Sequence, residues 1–275
     1  MAVKGPGEGQ RTAATIGTFD GVHVGHQLLV SATRQIADEQ GLRDAVITFD
    51  RHPFATIRPE ATPKLLTTLE EKIELLRSLG VDDVVVLEFD VARSHQEPES
   101  FIEDFLVGEI GVAVVVIGAG FRFGHRARGD AAMLQQMGEK LGFSVVTLAL
   151  VGDETGGIVS STHIRALIGE ARLDDAARLL GRPYEVRGEL VRSKTMRVVI
   201  PRELLLPPAG TYPIDFIQGK SVFSGVATIP PTYGRDDDVP VVVKVPGGLW
   251  VSPGAAALRF RERDDDASLG GEAAR

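Results

Sequence analysis

The sequence predicts an α/β protein, in which a domain built on a parallel β-sheet is followed by a small antiparallel β-barrel. Up to about residue 181, short and nearly continuous apolar runs alternate with segments of helical spacing, the pattern of buried parallel strands joined by crossover helices. Beyond that point, short β-rich runs are separated by Pro and Gly, which is typical of a small antiparallel barrel. A chain of 275 residues, 43% of them hydrophobic, can bury one large core or two modest ones.

Five buried strands are predicted in the first part of the chain. They cover residues 12–17, 45–49, 84–88, 112–117 and 144–150. Apolar residues recur at helical spacing after the first strand, from Leu28 to Ile36, and before the third, from Leu69 to Leu79. Because ligands bind beyond the carboxyl ends of the strands in such sheets, the loops that follow the strands are where we expect the chemistry.

Six shorter strands are predicted in the second part. They cover residues 184–191, 197–200, 210–216, 221–229, 239–245 and 257–261. The last dozen residues combine an acidic run with small residues, which favours disorder. We therefore expect a first domain at residues 12–182, a barrel at residues 183–263 and a disordered tail at residues 264–275.

Composition excludes several classes of protein. Lys and Arg number 30 against 38 Asp and Glu, and the resulting net charge of −8 argues against nucleic acid or an anionic membrane as a partner. The absence of cysteine excludes disulfides, thiolate metal sites and a cysteine nucleophile. The sequence has no signal peptide and no run of about 18 apolar residues, so we expect a cytoplasmic protein outside the membrane. The oligomeric state is left open.

The strongest chemical signal is the segment Gly-Thr-Phe-Asp-Gly-Val-His-Val-Gly-His at residues 17–26. It lies between a predicted strand and a predicted helix, and its two histidines, His23 and His26, are three residues apart. Imidazoles beside the free N–H groups of a helix N-terminus form a compact anion site, and Gly21 and Gly25 let the backbone approach a phosphate. The alternative is a pair of surface histidines in a glycine-rich turn.

A second phosphate element is predicted where Ser160, Ser161 and Thr162 precede another segment of helical spacing. An ordinary serine or threonine cap would look the same. Arg165 favours function, because an arginine in the first turn opposes the helix dipole but suits an anion bound at that helix start.

The loop at residues 121–130 combines aromatic rings with three arginines. Phe121 and Phe123 alternate with basic side chains, and this mixture suits a planar ligand that carries phosphate. A solvated basic loop with its phenylalanines turned into the core is an equally good interpretation. His52, held extended before Pro53, is either a substrate contact or an ordinary loop residue.

These segments resemble those of a known family. The His-x-Gly-His element is similar to the signature of the nucleotidyltransferases with a "HIGH"-type motif, and its longer form resembles the bacterial FAD synthetases, which are riboflavin kinases and FMN adenylyltransferases. Three further segments agree in order with motifs of that family. They are Phe-Asp-Arg-His-Pro at residues 49–53, Gly-Ala-Gly-Phe-Arg-Phe-Gly at residues 118–124 and Val-Ser-Ser-Thr-His-Ile-Arg at residues 159–165.

The resemblance implies a Rossmann-like nucleotidyltransferase domain and the reaction of ATP with FMN to give FAD and pyrophosphate, with Mg²⁺ as cofactor. The sequence identifies no ligand for that metal. The implied catalytic residues are His23, His26 and Arg165. The implied nucleotide-binding residues are Gly17, Phe19, Asp20, Gly21, Gly25, Ser160, Ser161 and Thr162. The implied acceptor-binding residues are His52, Pro53, Gly120, Phe121, Arg122, Phe123, Arg126 and Arg128.

The sequence also departs from the family. Gly120 replaces an Asp or Asn of the aromatic loop, and Arg51 replaces the proline before His52. In the barrel, residues 192–202 lack the family's Pro-Thr-Ala-Asn element and residues 239–244 lack its glutamate base, so we expect no riboflavin kinase activity. Two alternatives follow: a nucleotidyltransferase for CTP or a modified flavin phosphate, and a non-catalytic regulator that binds flavin nucleotides.

Overall fold

The computed structural model describes residues 11–152, 157–192, 195–231, 237–246 and 252–261. The chain divides into two compact units, Met1–His163 and Ile164–Arg275. The tail expected at residues 264–275 lies outside the described residues. The domain limits expected from the change in sequence pattern stay predictions, and the two units are considered one at a time.

The first unit contains a parallel sheet of five strands in the order β3-β2-β1-β4-β5, with helices between them, which confirms the predicted fold class. The strands are β1 (Thr12–Ile16), β2 (Arg43–Phe49), β3 (Asp83–Leu87), β4 (Val112–Gly118) and β5 (Ser144–Leu148). Every residue of β1 is buried, because this strand lies at the centre of the sheet and is rich in β-branched and small residues.

One prediction about the sheet is wrong. We expected β5 to be buried on both faces, but none of its residues is buried, and Ser144 and Thr147 are exposed. Among the described strands, β5 pairs only with β4, since it lies at the edge of the sheet. A run of apolar letters does not distinguish an edge strand from a central one.

Sequence signals mark the ends of the longer helices. The α-helices of the described residues are α1 (Val24–Gln40), α2 (Phe54–Ile57), α3 (Leu69–Ser78), α4 (Val91–Ser94), α5 (Pro98–Ser100), α6 (Ala131–Leu141), α7 (Ser161–Gly169) and α8 (Leu173–Leu180). α1 ends at Gly41 in the left-handed conformation, and α3 begins with a capping box between Thr68 and Glu71. A π-helical segment, Phe101–Glu109, follows α5 directly and packs its phenylalanines into the core.

The second unit contains the greater part of α7, all of α8 and a closed antiparallel barrel in the order β10-β7-β6-β11-β8-β9. Its strands are β6 (Glu185–Arg192), β7 (Met196–Ile200), β8 (Gly210–Gln218), β9 (Ser221–Ile229), β10 (Val239–Lys244) and β11 (Gly254–Phe260). This architecture confirms the predicted barrel. None of the helices in the described ranges combines the length and apolar character that a membrane crossing requires.

The barrel interior is apolar and closely packed. Leu190, Val198, Ile214, Phe216 and Leu258 are all buried. Gly188 and Gly225 let neighbouring strands approach closely. A Cβ on Gly188 would lie 2.3 Å from Val199 O, and a Cβ on Gly225 would lie 2.5 Å from Lys244 O.

Candidate functional site at the carboxyl ends of the parallel strands

The sheet of the first unit has a topological switch point between β1 and β4. From β1 the chain builds β2 and β3 on one side of the sheet, and it returns to build β4 and β5 on the other side. Because all strands are parallel, the segment after β1 (residues 17–23, the β1 loop) and the segment after β4 (residues 119–130, the β4 loop) leave the same edge. Ligands of such sheets bind at this point.

The β1 loop has an unusual backbone that its neighbours hold in place. Phe19 has φ +49°, Gly21 +79° and Val22 +40°, and positive φ angles are rare for residues with a side chain. The Asp20 carboxylate accepts hydrogen bonds from the main-chain N of Leu66 at 3.0 Å and of Thr67 at 3.2 Å. The Phe19 ring is fully buried, so only the main chain of that residue can face a ligand.

The two predicted histidines lie together at the start of α1. Their rings stack, with centroids 3.6 Å apart and an angle of 16° between the ring planes. His23 caps the helix, since its Nδ1 accepts a hydrogen bond from His26 N at 3.3 Å. A Cβ on Gly25 would lie 3.2 Å from the His23 ring, so glycine at this position leaves room for the stacked pair.

The electrostatics of His26 favour a neutral imidazole. Burial, the neighbouring His23 and Lys72 together hold the pKa of His26 well below its ordinary value. His26 Nδ1 is buried and has no hydrogen-bond partner among the described residues. The first turn of α1 contains no acidic residue. A neutral hydrogen-bonding ring therefore lies beside the positive end of the helix dipole, which is an arrangement that suits an anionic ligand.

The start of α7 contacts the β1 loop within the first unit. Ser161 Oγ donates to Asp20 O at 2.9 Å, and Ser160 Oγ accepts from His163 N at 3.2 Å. Thr162 is exposed. Arg165 follows on the same helix beyond the division between the units, and its role as a phosphate ligand stays a prediction.

The β4 loop has its phenylalanines against the core and its arginines at the surface. The rings of Phe121 and Phe123 stack at 5.6 Å and pack against the hydrophobic core. Arg122 pairs with Asp130 at 3.1 Å, and Arg128 with Glu97 at 2.7 Å.

Three residues of the β4 loop are exposed and have positive φ angles. They are Gly120 with φ +87°, Arg126 with φ +55° and Ala127 with φ +54°. A Cβ built on Gly120 would meet no atom within 4 Å. The acceptor-binding role assigned to this loop stays a prediction.

The segment after β2 carries the remaining predicted contacts. His52 Nδ1 accepts from Phe54 N at 3.2 Å, and Pro53 occupies the cap position of α2. Arg51 donates to the Asp50 carboxylate at 2.7 Å and 2.9 Å. The guanidinium that replaces the family's proline is therefore held by its own neighbour.

Two residues at this edge were missed by the sequence interpretation. Thr67 Oγ1 accepts from Gly21 N at 3.2 Å, and Lys72 donates to main-chain oxygens after β1 and at the end of β2. Lys72 lies in a segment that the sequence indicated only as helical, and Thr67 lies just before it. In the described part of the chain, no group of three or more His, Asp or Glu side chains is arranged to hold a metal.

Among solved structures, the fold is similar to that of a macrolide-efflux protein from Streptococcus pneumoniae, with a TM-score of 0.82 over 95% of this chain and 90% of that one. The two sequences are 21% identical, so this likeness concerns the fold alone.

Among curated proteins, the chain is similar to three bifunctional riboflavin kinase/FMN adenylyltransferases. That of Listeria monocytogenes is 32% identical over 84% of this chain and 76% of its own length. That of Bacillus subtilis is 29% identical over 86% and 78%, and that of Escherichia coli K12 is 31% identical over 78% and 71%. A sequence model of the FAD synthetase family matches residues 6–163. The chain belongs to the FAD synthetase family, and it is a nucleotidyltransferase.

Proposed function

We propose that the chain is an FMN adenylyltransferase, which joins the AMP part of ATP to FMN and releases pyrophosphate. The observation that carries the proposal is the stacked pair His23 and His26 at the start of α1, at the switch point of the sheet, in a chain of the FAD synthetase family. The similar curated proteins are FMN adenylyltransferases by name, which supports the same acceptor here.

The reaction needs no protein nucleophile. An oxygen of the FMN phosphate attacks the α-phosphorus of ATP, the bond from that phosphorus to the bridging oxygen breaks, and pyrophosphate leaves. Positioning and stabilisation of developing negative charge therefore supply the rate enhancement. The N-terminus of α1 and the orphaned nitrogen of His26 are the groups that we assign to the phosphates, and Arg165 and the start of α7 to the leaving pyrophosphate.

Mg²⁺ would enter with the nucleotide and neutralise charge on its phosphates. Two carboxylates lie near the β1 loop, and both already accept hydrogen bonds: Asp20 from main-chain N–H groups, and Asp50 from Arg51 and Phe89 N. We therefore expect the protein to supply few of the ligands of that metal. A magnesium ion held mainly by substrate phosphates and water is common in such enzymes.

The barrel contributes no riboflavin phosphorylation in this proposal. β7 and β10 occupy the places where the family's phosphate-binding element and glutamate base are expected, and β10 contains no carboxylate. We therefore propose that the barrel has a role other than the riboflavin kinase activity named for the curated relatives.

A cytoplasmic location also stays a prediction of the sequence.

The proposal is tested by pyrophosphate release from the purified chain. ATP or CTP is supplied with Mg²⁺, with and without FMN, and the products are separated by chromatography. We expect release that needs both ATP and FMN, with one FAD for each pyrophosphate. Release with CTP in place of ATP, or with ATP and no FMN requirement, would overturn the assignment of substrates.

A further inference from the structure

Lys72, in the first turn of α3, is a buried cation that the sequence pattern did not single out. It is only 8% exposed, although lysine is rarely buried in proteins. Its Nζ donates to Thr18 O at 3.1 Å and to Phe49 O at 2.8 Å. These two carbonyl groups lie just after β1 and at the end of β2, so one ammonium joins the carboxyl ends of two neighbouring strands at the site.

The carbonyl of Thr18 belongs to the start of the β1 loop. The next residue, Phe19, has φ +49°, and Val22 has φ +40°. Strained conformations of this kind persist only where the surroundings fix them. Thr18 O also accepts from Thr48 Oγ1 at 3.1 Å, so two donors hold the point from which the strained backbone begins.

Lys72 also sets the charge beneath this loop. Burial lowers the pKa of Lys72 to about 8, while Asp20 and Asp50 act in the opposite direction. Both carboxylates already accept main-chain hydrogen bonds, Asp20 from Leu66 and Asp50 from Phe89. The remaining charged or titratable neighbours are His26, whose pKa Lys72 helps to depress, and Glu71, which caps α3.

We propose that Lys72 is a positioning residue for adenylyl transfer, whose ammonium fixes the β1 loop through Thr18 O and Phe49 O and supplies a positive charge beneath the phosphates that this loop binds. The proposal rests on the proposed function. It gives α3, which contains none of the family motifs quoted above, a part in the site.

The two parts of this role can be separated by pH. A neutral amine keeps two N–H groups, so the tether to both carbonyls survives deprotonation, whereas the positive charge is lost. Since kcat/KM reports the titration of the free enzyme, its value for ATP should fall as the pH rises through about 8. A lysine that served only as a tether would give no such fall.

Three variants complete the test. Lys72→Met removes the charge and both donors, Lys72→Arg keeps a charge that does not titrate in this range, and Thr48→Val removes only the other donor to Thr18 O. Each is assayed for kcat and KM from pH 6.5 to 9.5, with thermal unfolding to establish that it is folded. We expect Lys72→Met to lower kcat/KM by about 10- to 100-fold, which is the size of loss that misplacement of a site by about 1 Å causes. We also expect kcat/KM of this variant not to fall near pH 8.

The two control variants have expected results of their own. Lys72→Arg should keep part of the rate without the fall above pH 8, and Thr48→Val should keep the fall and lose less rate than Lys72→Met. An unchanged kcat/KM in folded Lys72→Met overturns the proposal, as does a fall near pH 8 that survives in that variant. If neither Lys72 variant folds, a flat wild-type profile between pH 7.5 and 9 overturns it.

Failure of the proposed function is a distinct result. If the wild-type chain makes no FAD, the assay becomes ATP binding by calorimetry at pH 7 and pH 9. If the wild-type chain binds ATP more weakly at pH 9 than at pH 7 and Lys72→Arg does not, the result supports the role of Lys72. Equal ATP binding by the wild-type chain at both pH values overturns that role.

Discussion

The two units differ in whether their buried polar side chains have hydrogen-bond partners. In the described residues, all four buried side-chain atoms without a hydrogen-bond partner belong to the first unit, and His26 Nδ1 is one of them. In the barrel, the hydroxyls of Tyr184 and Tyr212 donate to main-chain oxygens at 2.7 Å and 2.8 Å. Among the described residues, one unsatisfied buried atom therefore lies at the candidate site, and none lies in the barrel.

Backbone strain is distributed in the same unequal way. Four of the five described non-glycine residues with positive φ lie in the first unit, and two of them, Phe19 and Val22, are in the β1 loop. Departures from local rules are expected where function requires them and rarely elsewhere. The contrast indicates that changes at the β1 loop should alter catalysis, whereas changes in the barrel should alter stability.

The largest effect is expected from His26→Ala. Loss of this ring should lower FMN adenylyl transfer by about 10²- to 10³-fold, the usual consequence of removing one group that stabilises transition-state charge. The ring is partly buried and stacks on His23, so a modest loss of stability should accompany the change. Steady-state kinetics and thermal unfolding of the same preparation measure both. A folded variant with wild-type turnover would remove the phosphate site from this loop.

The reciprocal change is Tyr184→Phe in the barrel. It deletes the hydroxyl that donates to Leu205 O and should lower the free energy of unfolding by about 1 kcal/mol, because a partly buried acceptor loses its partner. FMN adenylyl transfer by the folded protein should not change. Chemical denaturation and the kinetic assay are compared side by side. A loss of turnover without a loss of stability would contradict the division of roles between the two units.

The smallest effect is expected from Gly120→Asp, which introduces one of the two residues, Asp or Asn, that the family has at this position of the β4 loop. The site is exposed and has open space for a Cβ, so a clash within the protein is not expected. The φ of +87° should lower stability by about 1 kcal/mol, less than for other side chains because Asp tolerates left-handed backbone. FMN affinity, measured by fluorescence titration, should be unchanged or tighter. FMN binding weakened by tenfold would indicate a loop shaped for a different acceptor.

Much of the fold could be predicted because its signals are local. Apolar, β-branched runs predicted the five parallel strands to within two residues at each end. The π-helical segment Phe101–Glu109 carries no distinguishing propensity, and the exposure of β5 depends on its position in the sheet. Both are properties of tertiary contacts, which no short window of sequence contains.

The candidate site was predicted less completely. The pairing of His23 and His26 was predicted from their spacing and from the preceding strand, and the structure brings the two rings together. Lys72 resembled an ordinary lysine on an amphipathic helix, because the carbonyls that bury it are 23 and 54 residues away in the sequence. Phe19 resembled a ligand contact, although the positive φ of the loop turns its ring into the core. Side-chain direction was the missing information in both cases.

The decisive question is whether the chain transfers the adenylyl group of ATP to FMN without phosphorylating riboflavin. One chromatographic assay tests it directly, with the intact chain, ATP and Mg²⁺ supplied with FMN in one reaction and with riboflavin in the other. FAD should form from FMN over many turnovers, and neither FMN nor FAD should form from riboflavin. Formation of FMN from riboflavin, or absence of FAD in the reaction that contains FMN, would contradict this expectation.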